Sequence, residues 1–296
     1  VATGRLVQLA ANELGSPPAG FAFLALGSEG REEQTPGSDQ DNAIVYADGA
    51  NGNPDTVREW FLHLGRRVCG WLEETGVPPC VGGMMASNPR WCAPISEWQG
   101  MFGRWIGEPE PLELLHFQIF FDFRPVHGDR GLAATLRRSI AEHLRGEPPF
   151  FLHLARDALQ RRLPPLFEGG ILRDLLHAGS PLLDTKDALI PFVSFARLYA
   201  LRHGVDATNT LARLEGLRER GVLKPGFHAD ITGAFTFLAR VRLARQAASL
   251  QAGKKPDDLL DVRKLDREGT AMLRHAASQA VLIRKRISFD FLGSAL

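Results

Sequence analysis

The chain has 296 residues, with 35 Lys+Arg against 34 Asp+Glu and 44% hydrophobic residues, which suggests two domains and excludes general disorder. No run approaches the roughly 20 apolar residues that span a bilayer, and no basic segment followed by an apolar one opens the chain as a secretory signal would. The three cysteines, Cys69, Cys80 and Cys92, form no C-x-x-C pair, which argues against a disulfide scaffold or a cysteine zinc site and makes a reducing cytoplasm the default.

Residues 2–14 are predicted to form a short helix ended by Gly15 and the Ser16-Pro17-Pro18 turn. Phe21–Leu26 is a continuous apolar run, as a buried strand is. Ala43–Ala47 is a second strand, closed by the turn residues 48–54. Residues 55–75 carry Val57, Phe61, Leu64, Val68 and Leu72 at helical spacing, and Gly76 with Pro78-Pro79 stops that helix. A Gly/Met/Asn loop at 82–90 precedes a helix with Ile95, Trp98, Phe102 and Trp105 on one face. The series Trp91, Trp98, Trp105 reads as packing rather than as a platform for stacked bases. Leu114–Phe123, strongly apolar and aromatic, is predicted as a third strand, with Asp122 near its end.

From about residue 150 amphipathic helical patterns take over, at 151–163, 169–178, 186–203, 209–220, 226–252 and 265–289. Asp184-Thr185 and Thr208 are the expected N-caps for two of them. Gly146–Pro149 marks the boundary, so the pattern predicts an α+β chain: a mixed-sheet domain over 1–147, then an all-helical domain over 148–296. Charge follows the same division, with 12 Lys+Arg and 19 Asp+Glu in residues 1–150 against 23 and 15 in residues 151–296. That asymmetry fits two solvated surfaces, or an acidic half that gathers cations and a basic half that attracts phosphates or an acidic partner.

The stretch that carries chemistry is Leu26-Gly27-Ser28-Glu29-Gly30-Arg31-Glu32-Glu33-Gln34, followed by Ser38-Asp39-Gln40-Asp41-Asn42 and an apolar strand. Its spacing matches neither a P-loop nor a G-x-G-x-x-G fingerprint. A strand ending in Gly-Ser can offer backbone N–H groups and a hydroxyl to an anion, and Gly27 lets a phosphate approach the backbone. Asp39 and Asp41, two apart in an extended segment, point to one face, where they can hold divalent cations. Mg²⁺ suits such carboxylates, in a two-metal site that stabilises attacking and leaving oxygens. Asp122 is the candidate third carboxylate, with pairing to the nearby Arg124 as the alternative. Ser28 lies in no G-x-S-x-G elbow, and the nine His form no H-E-x-x-H motif; His116 and His127 flank the proposed strand. Arg284-Lys285-Arg286 lacks interleaved aromatics and reads as a solvated face, which disfavours nucleic acid as a partner.

Gly-Ser, ten residues and then Asp-x-Asp ahead of an apolar strand resembles the polymerase-β-type nucleotidyltransferase superfamily. The fuller string from Gly27 to Ala43 is similar to the nucleotidyltransferases of bacterial signalling proteins, found downstream of cyclic-nucleotide-binding and CBS domains, and to that domain of the PII uridylyltransferase. The resemblance continues through Gly82-Gly83-Met84-Met85, Asn88-Pro89, Trp91, Ile119–Asp129 and, in the helical half, Ala188–Pro191 and Ala196–Leu198. It implies that Gly27 and Ser28 hold nucleotide phosphates, that Arg31 clamps them, and that Asp39, Asp41 and Asp122 are the catalytic, metal-ligating acids, with Asp129 a neighbouring alternative to Asp122. The implied cofactor is Mg²⁺, with Mn²⁺ possible, and the implied reaction is NMP transfer from an NTP to a protein hydroxyl or a small molecule. Upstream regulatory domains fit a chain that begins with Val rather than Met. The alternatives are a nucleotide-binding regulatory module without turnover and, less favoured, an aminoglycoside-type transferase.

Overall fold

The two most continuous apolar runs become the centre of a sheet. Phe21–Ala25 (β1) and Asn42–Tyr46 (β2) pair antiparallel, from Phe21–Tyr46 to Ala25–Asn42, and every residue of both is buried. Strands covered on both faces are mainly apolar, which is why Phe21–Leu26 and Ala43–Ala47 read as unbroken runs. Cys92–Pro94 (β3) lies parallel to β2, and Arg124–Gly128 (β4) lies antiparallel to β1, giving the order β3-β2-β1-β4. The computed structural model describes residues 2–49, 52–108, 118–145, 148–168 and 182–293.

Residues alternate across the sheet. Phe21, Phe23, Ile44 and Tyr46 face Ala2–Leu14 (α1) and Pro54–Glu74 (α3), packing with Val7, Ala10, Val57, Phe61, Leu64 and Val68. Gly27–Gly30 (α2) is a single turn directly after β1. Ile95–Gly107 (α4) carries Trp98, Phe102 and Trp105 into an aromatic cluster with Trp91 and Phe120, and the Trp98 indole donates to the Ile44 carbonyl at 3.0 Å. The tryptophans are thus packed in the interior, as their helical spacing indicated.

The aromatic run after residue 117 departs from the expected third strand. Gln118–Asp122 forms a 3₁₀ turn, and positions 114–117 of that prediction lie outside the described residues. Phe120, Phe121 and Phe123 are all buried, Phe120 against Trp91, Trp98 and Trp105, and Phe121 against Phe102 and Phe150. Burial on every side leaves no two-residue period to separate a strand from a tight turn. The strand comes next, at β4, where Pro125 is tolerated because β4 ends the sheet order. Arg130–Leu144 (α5) forms a further helix, beyond those expected from the sequence, burying Ala133, Leu136, Ile140 and Leu144.

In the second half the predicted helices form with small shifts of their ends. They are Pro148–Gln160 (α6), Thr185–Arg202 (α8), Thr210–Glu219 (α9), Pro225–Gln251 (α10) and Arg267–Ile287 (α11), with the short Pro165–Glu168 (α7) between the first two. The predicted helix 169–178 lies outside the described residues. Asp184 caps α8 by accepting from the amides of Lys186 and Asp187, whereas Asn209, not Thr208, caps α9. One small ladder interrupts the helices: Leu182–Asp184 (β5) pairs antiparallel with Leu259–Asp261 (β6). It is supported by Asp258, whose carboxylate takes Arg242 Nε at 2.8 Å and Gln246 Nε2 at 2.7 Å. Contacts divide the chain into two units, Val1–Gln34 with Ser38–Phe150, and Thr35–Gly37 with Phe151–Leu296.

Trp98 fills the aromatic layer and satisfies a backbone carbonyl at once. Trp98→Ala is expected to cost about 3–5 kcal/mol, read from urea unfolding.

Candidate active site

At the end of β1 the chain turns through α2, and the Leu26 amide donates to the Asp41 carbonyl at 2.9 Å, lacing the turn to the Asp-x-Asp segment. Gly27 has φ +52°, and a Cβ there would lie 2.8 Å from Asp41 Oδ2, so both backbone and space call for glycine. Gly30 faces the other way. A Cβ on it would meet the Asp122 carbonyl oxygen at 1.8 Å and the Ala25 carbonyl at 2.9 Å. The two glycines thus let one helical turn sit against two different acidic residues. Ser28 is half-buried on the same turn.

Ser38–Asn42 shows the alternation on which the site rests. Ser38, Gln40 and Asn42 are buried while Asp39 and Asp41 are only partly covered. Gln40 Nε2 donates to the carbonyls of Cys69 and Val77, and its backbone amide to the Pro78 carbonyl at 2.9 Å. Asn42 Oδ1 accepts from the Ala86 amide at 2.8 Å and from the Cys69 thiol at 3.4 Å. With the amides held inward, the two aspartates share the opposite face.

On that face stands a residue that the sequence reading had set aside. Asp39, Asp41 and Cys80 each offer a ligand atom, and the three atoms lie within 4.8 Å of one another. Cys80 arrives there because α3 ends at Glu74 and the Pro78-Pro79 segment runs beside Gln40 as a parallel bridge. Partial burial and the neighbouring Asp41 carboxylate push the thiol pKa up to about 11. No spacing motif links a lone cysteine to a pair of acids thirty-nine residues earlier. The available signal was only that Cys80 follows two prolines next to a Gly-Gly turn.

Asp122 is not brought into this group. It is fully buried, and its Oδ2 accepts from Arg31 Nη1 at 2.7 Å, while Arg31 Nε reaches Glu33 Oε2 at 2.7 Å. Burial alone would lower the Arg31 pKa, but the carboxylates of Asp122 and Glu33 outweigh it and raise it above the ordinary arginine value. Arg31, expected as a phosphate clamp, is therefore engaged with two acids, and it rather than Arg124 pairs with Asp122. Arg124 instead donates to the Glu29 carbonyl at 3.0 Å. Asp129, the alternative third acid, caps α5 by accepting from the Gly131 amide at 2.7 Å. His127 packs against Phe21 and its pKa is lowered by burial, and His116 lies outside the described residues.

Two carboxylates and a thiol converging beside a glycine whose missing Cβ leaves Asp41 Oδ2 approachable form a donor set that a divalent cation fits. A separate pocket of about 370 Å³ opens at the far end of β2, lined by Tyr46, Asp48, Arg58 and Glu97 among others. Arg58 is paired there with Glu97.

A Gly-Ser turn thus lies against an Asp-x-Asp segment that leads into a strand of a mixed sheet. Residues 1–112 match the family described as "Putative nucleotidyltransferase DUF294", and residues 148–291 match the one described as "Putative nucleotidyltransferase substrate binding domain". Together the two matches support a nucleotidyltransferase family for this chain. A search of curated proteins gives no match.

Three outcomes follow from this geometry. Arg31→Met removes the guanidinium that bonds the buried Asp122 carboxylate and is expected to cost about 3–5 kcal/mol in urea unfolding, part of it recovered in Arg31→Met/Asp122→Asn. Alkylation of Cys80 by iodoacetamide is expected to be slow at neutral pH and to accelerate as pH rises toward about 11. Asp41→Asn removes one cause of the raised pKa and is expected to shift that acceleration to lower pH.

Proposed function

We propose that this chain is a divalent-cation-dependent nucleotidyltransferase that moves NMP from an NTP to an acceptor hydroxyl with release of pyrophosphate. The observation that carries the reading is the convergence of Asp39 and Asp41 beside Gly27, inside the stretch that matches a nucleotidyltransferase family. In this reading residues 1–147 are the catalytic domain and residues 148–296 the substrate-binding domain.

Gly27 leaves room for a phosphate oxygen to approach the backbone, and Ser28 offers a hydroxyl on the same turn. Asp39 and Asp41 hold the cation, Mg²⁺ being the one their oxygens suit, with Mn²⁺ as the substitute. When bound, such an ion supplies charge neutralisation to phosphate oxygens. Phosphoryl-type transfer asks a protein mainly to position reactants, and the hydrogen bonds of Gln40 and Asn42 give that rigidity. Arg31 and Asp122 contribute by fixing the turn that carries Gly27 and Ser28, as positioning residues.

The resemblance of the Gly27–Ala43 string to the PII uridylyltransferase domain, read from the sequence alone, favours a protein hydroxyl as acceptor, a uridylyl- or adenylyl-type transfer and a cytoplasmic signalling role under upstream CBS or cyclic-nucleotide-binding domains. The basic balance of residues 151–296 supports an acidic partner surface. No helix among the described residues is long and apolar enough to cross a membrane. A second reading, a nucleotide-binding regulatory module without turnover, draws on the pairing of Asp122 with Arg31, which leaves two carboxylates rather than three at the cluster.

Asp39→Ala and Asp41→Ala are each expected to lower cation-dependent pyrophosphate release from NTP by at least about a hundredfold with the circular-dichroism spectrum unchanged. Wild-type release in both variants overturns the assignment. Nucleotide binding by calorimetry without pyrophosphate release across protein and small-molecule acceptors selects the regulatory module.

A further inference from the structure

We propose that the Cys80 thiolate is a ligand of the cation held by Asp39 and Asp41, so that the site prefers a borderline-soft divalent ion such as Zn²⁺ or Co²⁺ over Mg²⁺. This inference rests on the functional reading above and sharpens it. Its basis is placement. Cys80 Sγ lies within 4.8 Å of a carboxylate oxygen of each aspartate, while Asp122, expected as the third ligand, is tied to Arg31.

The thiol is held where it stands. The Gln40 amide bonds the Pro78 carbonyl on one side, and on the other the Gly83 amide donates to the Cys80 carbonyl at 2.9 Å. Gly83 takes φ +65° to close that turn, and Asn88 Nδ2 fastens it by donating to the Gly83 carbonyl at 3.1 Å. Cys69 and Cys92 are buried, and the Cys69 thiol is used within the interior as a donor to Asn42 Oδ1. Cys80 is partly exposed on the face of the acids, where its thiol bonds the Asp41 carboxylate, the contact that a shared cation would take over.

The chemistry follows from donor type. Oxygen-only sites suit Mg²⁺, which demands near-ideal octahedral geometry and gives up water reluctantly. A thiolate shifts preference toward Zn²⁺ and its neighbours. On binding, the S–H bond breaks, sulfur donates to the cation and the proton passes to solvent, with no change of oxidation state.

The test adds Co²⁺ to the full chain and follows the near-ultraviolet thiolate-to-cobalt charge-transfer absorption. A saturable band is expected in the wild type. It should vanish in Cys80→Ser, which is expected to bind Co²⁺ at least about tenfold more weakly while keeping its affinity for Mg²⁺. On the wild type alone, Zn²⁺ is expected to protect Cys80 from iodoacetamide under conditions where Mg²⁺ does not. Co²⁺ binding without the band, with equal affinity in Cys80→Ser and no protection by Zn²⁺, overturns the proposal. If cation-dependent transfer still requires Asp39 and Asp41 in that case, only the sulfur ligand is lost. If transfer survives Asp39→Asn/Asp41→Asn, the functional reading itself fails.

Discussion

Asn42 is fully buried, and its side-chain oxygen holds both the Ala86 amide and the Cys69 thiol; two residues earlier Gln40 is bound in the same direction to carbonyls at the end of α3. Neither set of bonds survives a slip of one residue, because a slip exchanges the two faces of an extended segment. It would bring Asp39 and Asp41 into the interior, where an unpaired carboxylate costs several kcal/mol, on the order of the stability of a whole domain. Two amides facing inward therefore decide where two acids face outward. They also fix the loop from Cys80 to Ala86, so the thiol and the carboxylates owe their proximity to one set of hydrogen bonds.

The Gly27–Gly30 turn answers to a second constraint. It is packed between the Asp41 side chain and the Asp122 backbone, with a glycine at each approach. A buried ion pair such as Arg31–Asp122 is a weak source of net stability, since desolvating both charges offsets most of their attraction. Its value here is directional. The guanidinium spans the segment before Asp39 and the 3₁₀ turn that ends at Asp122, and so holds the Gly27–Gly30 turn in one arrangement.

Much of this was legible in the residues themselves. Phe21–Leu26 and Ala43–Ala47 announced themselves by unbroken apolarity, α3 and α4 by their three-to-four spacing, and the paired aspartates by their two-residue separation ahead of a strand. What failed did so for physical reasons. Asp122 sits in a run whose aromatics are buried on every side, so its turn mimics a strand, and the cation that meets it is ninety-one residues away rather than next door. Helix α5 hides its apolar positions among Arg130, Arg137 and Arg138, with Arg145 at its C-terminal cap. Cys80 could be assigned only once the parallel bridge between Gln40 and Pro79 was known.

The geometry of Arg31 has a consequence for how this turn can vary. Its Nε addresses Glu33 and its Nη1 addresses Asp122, two directions served by one rigid planar group. Lysine would preserve the charge but offers a single compact ammonium, which cannot reproduce that fork. A substitution that charge-based reasoning ranks as conservative would thus break one of the two bonds that Arg31 makes, and drift at this position is confined by shape rather than by sign.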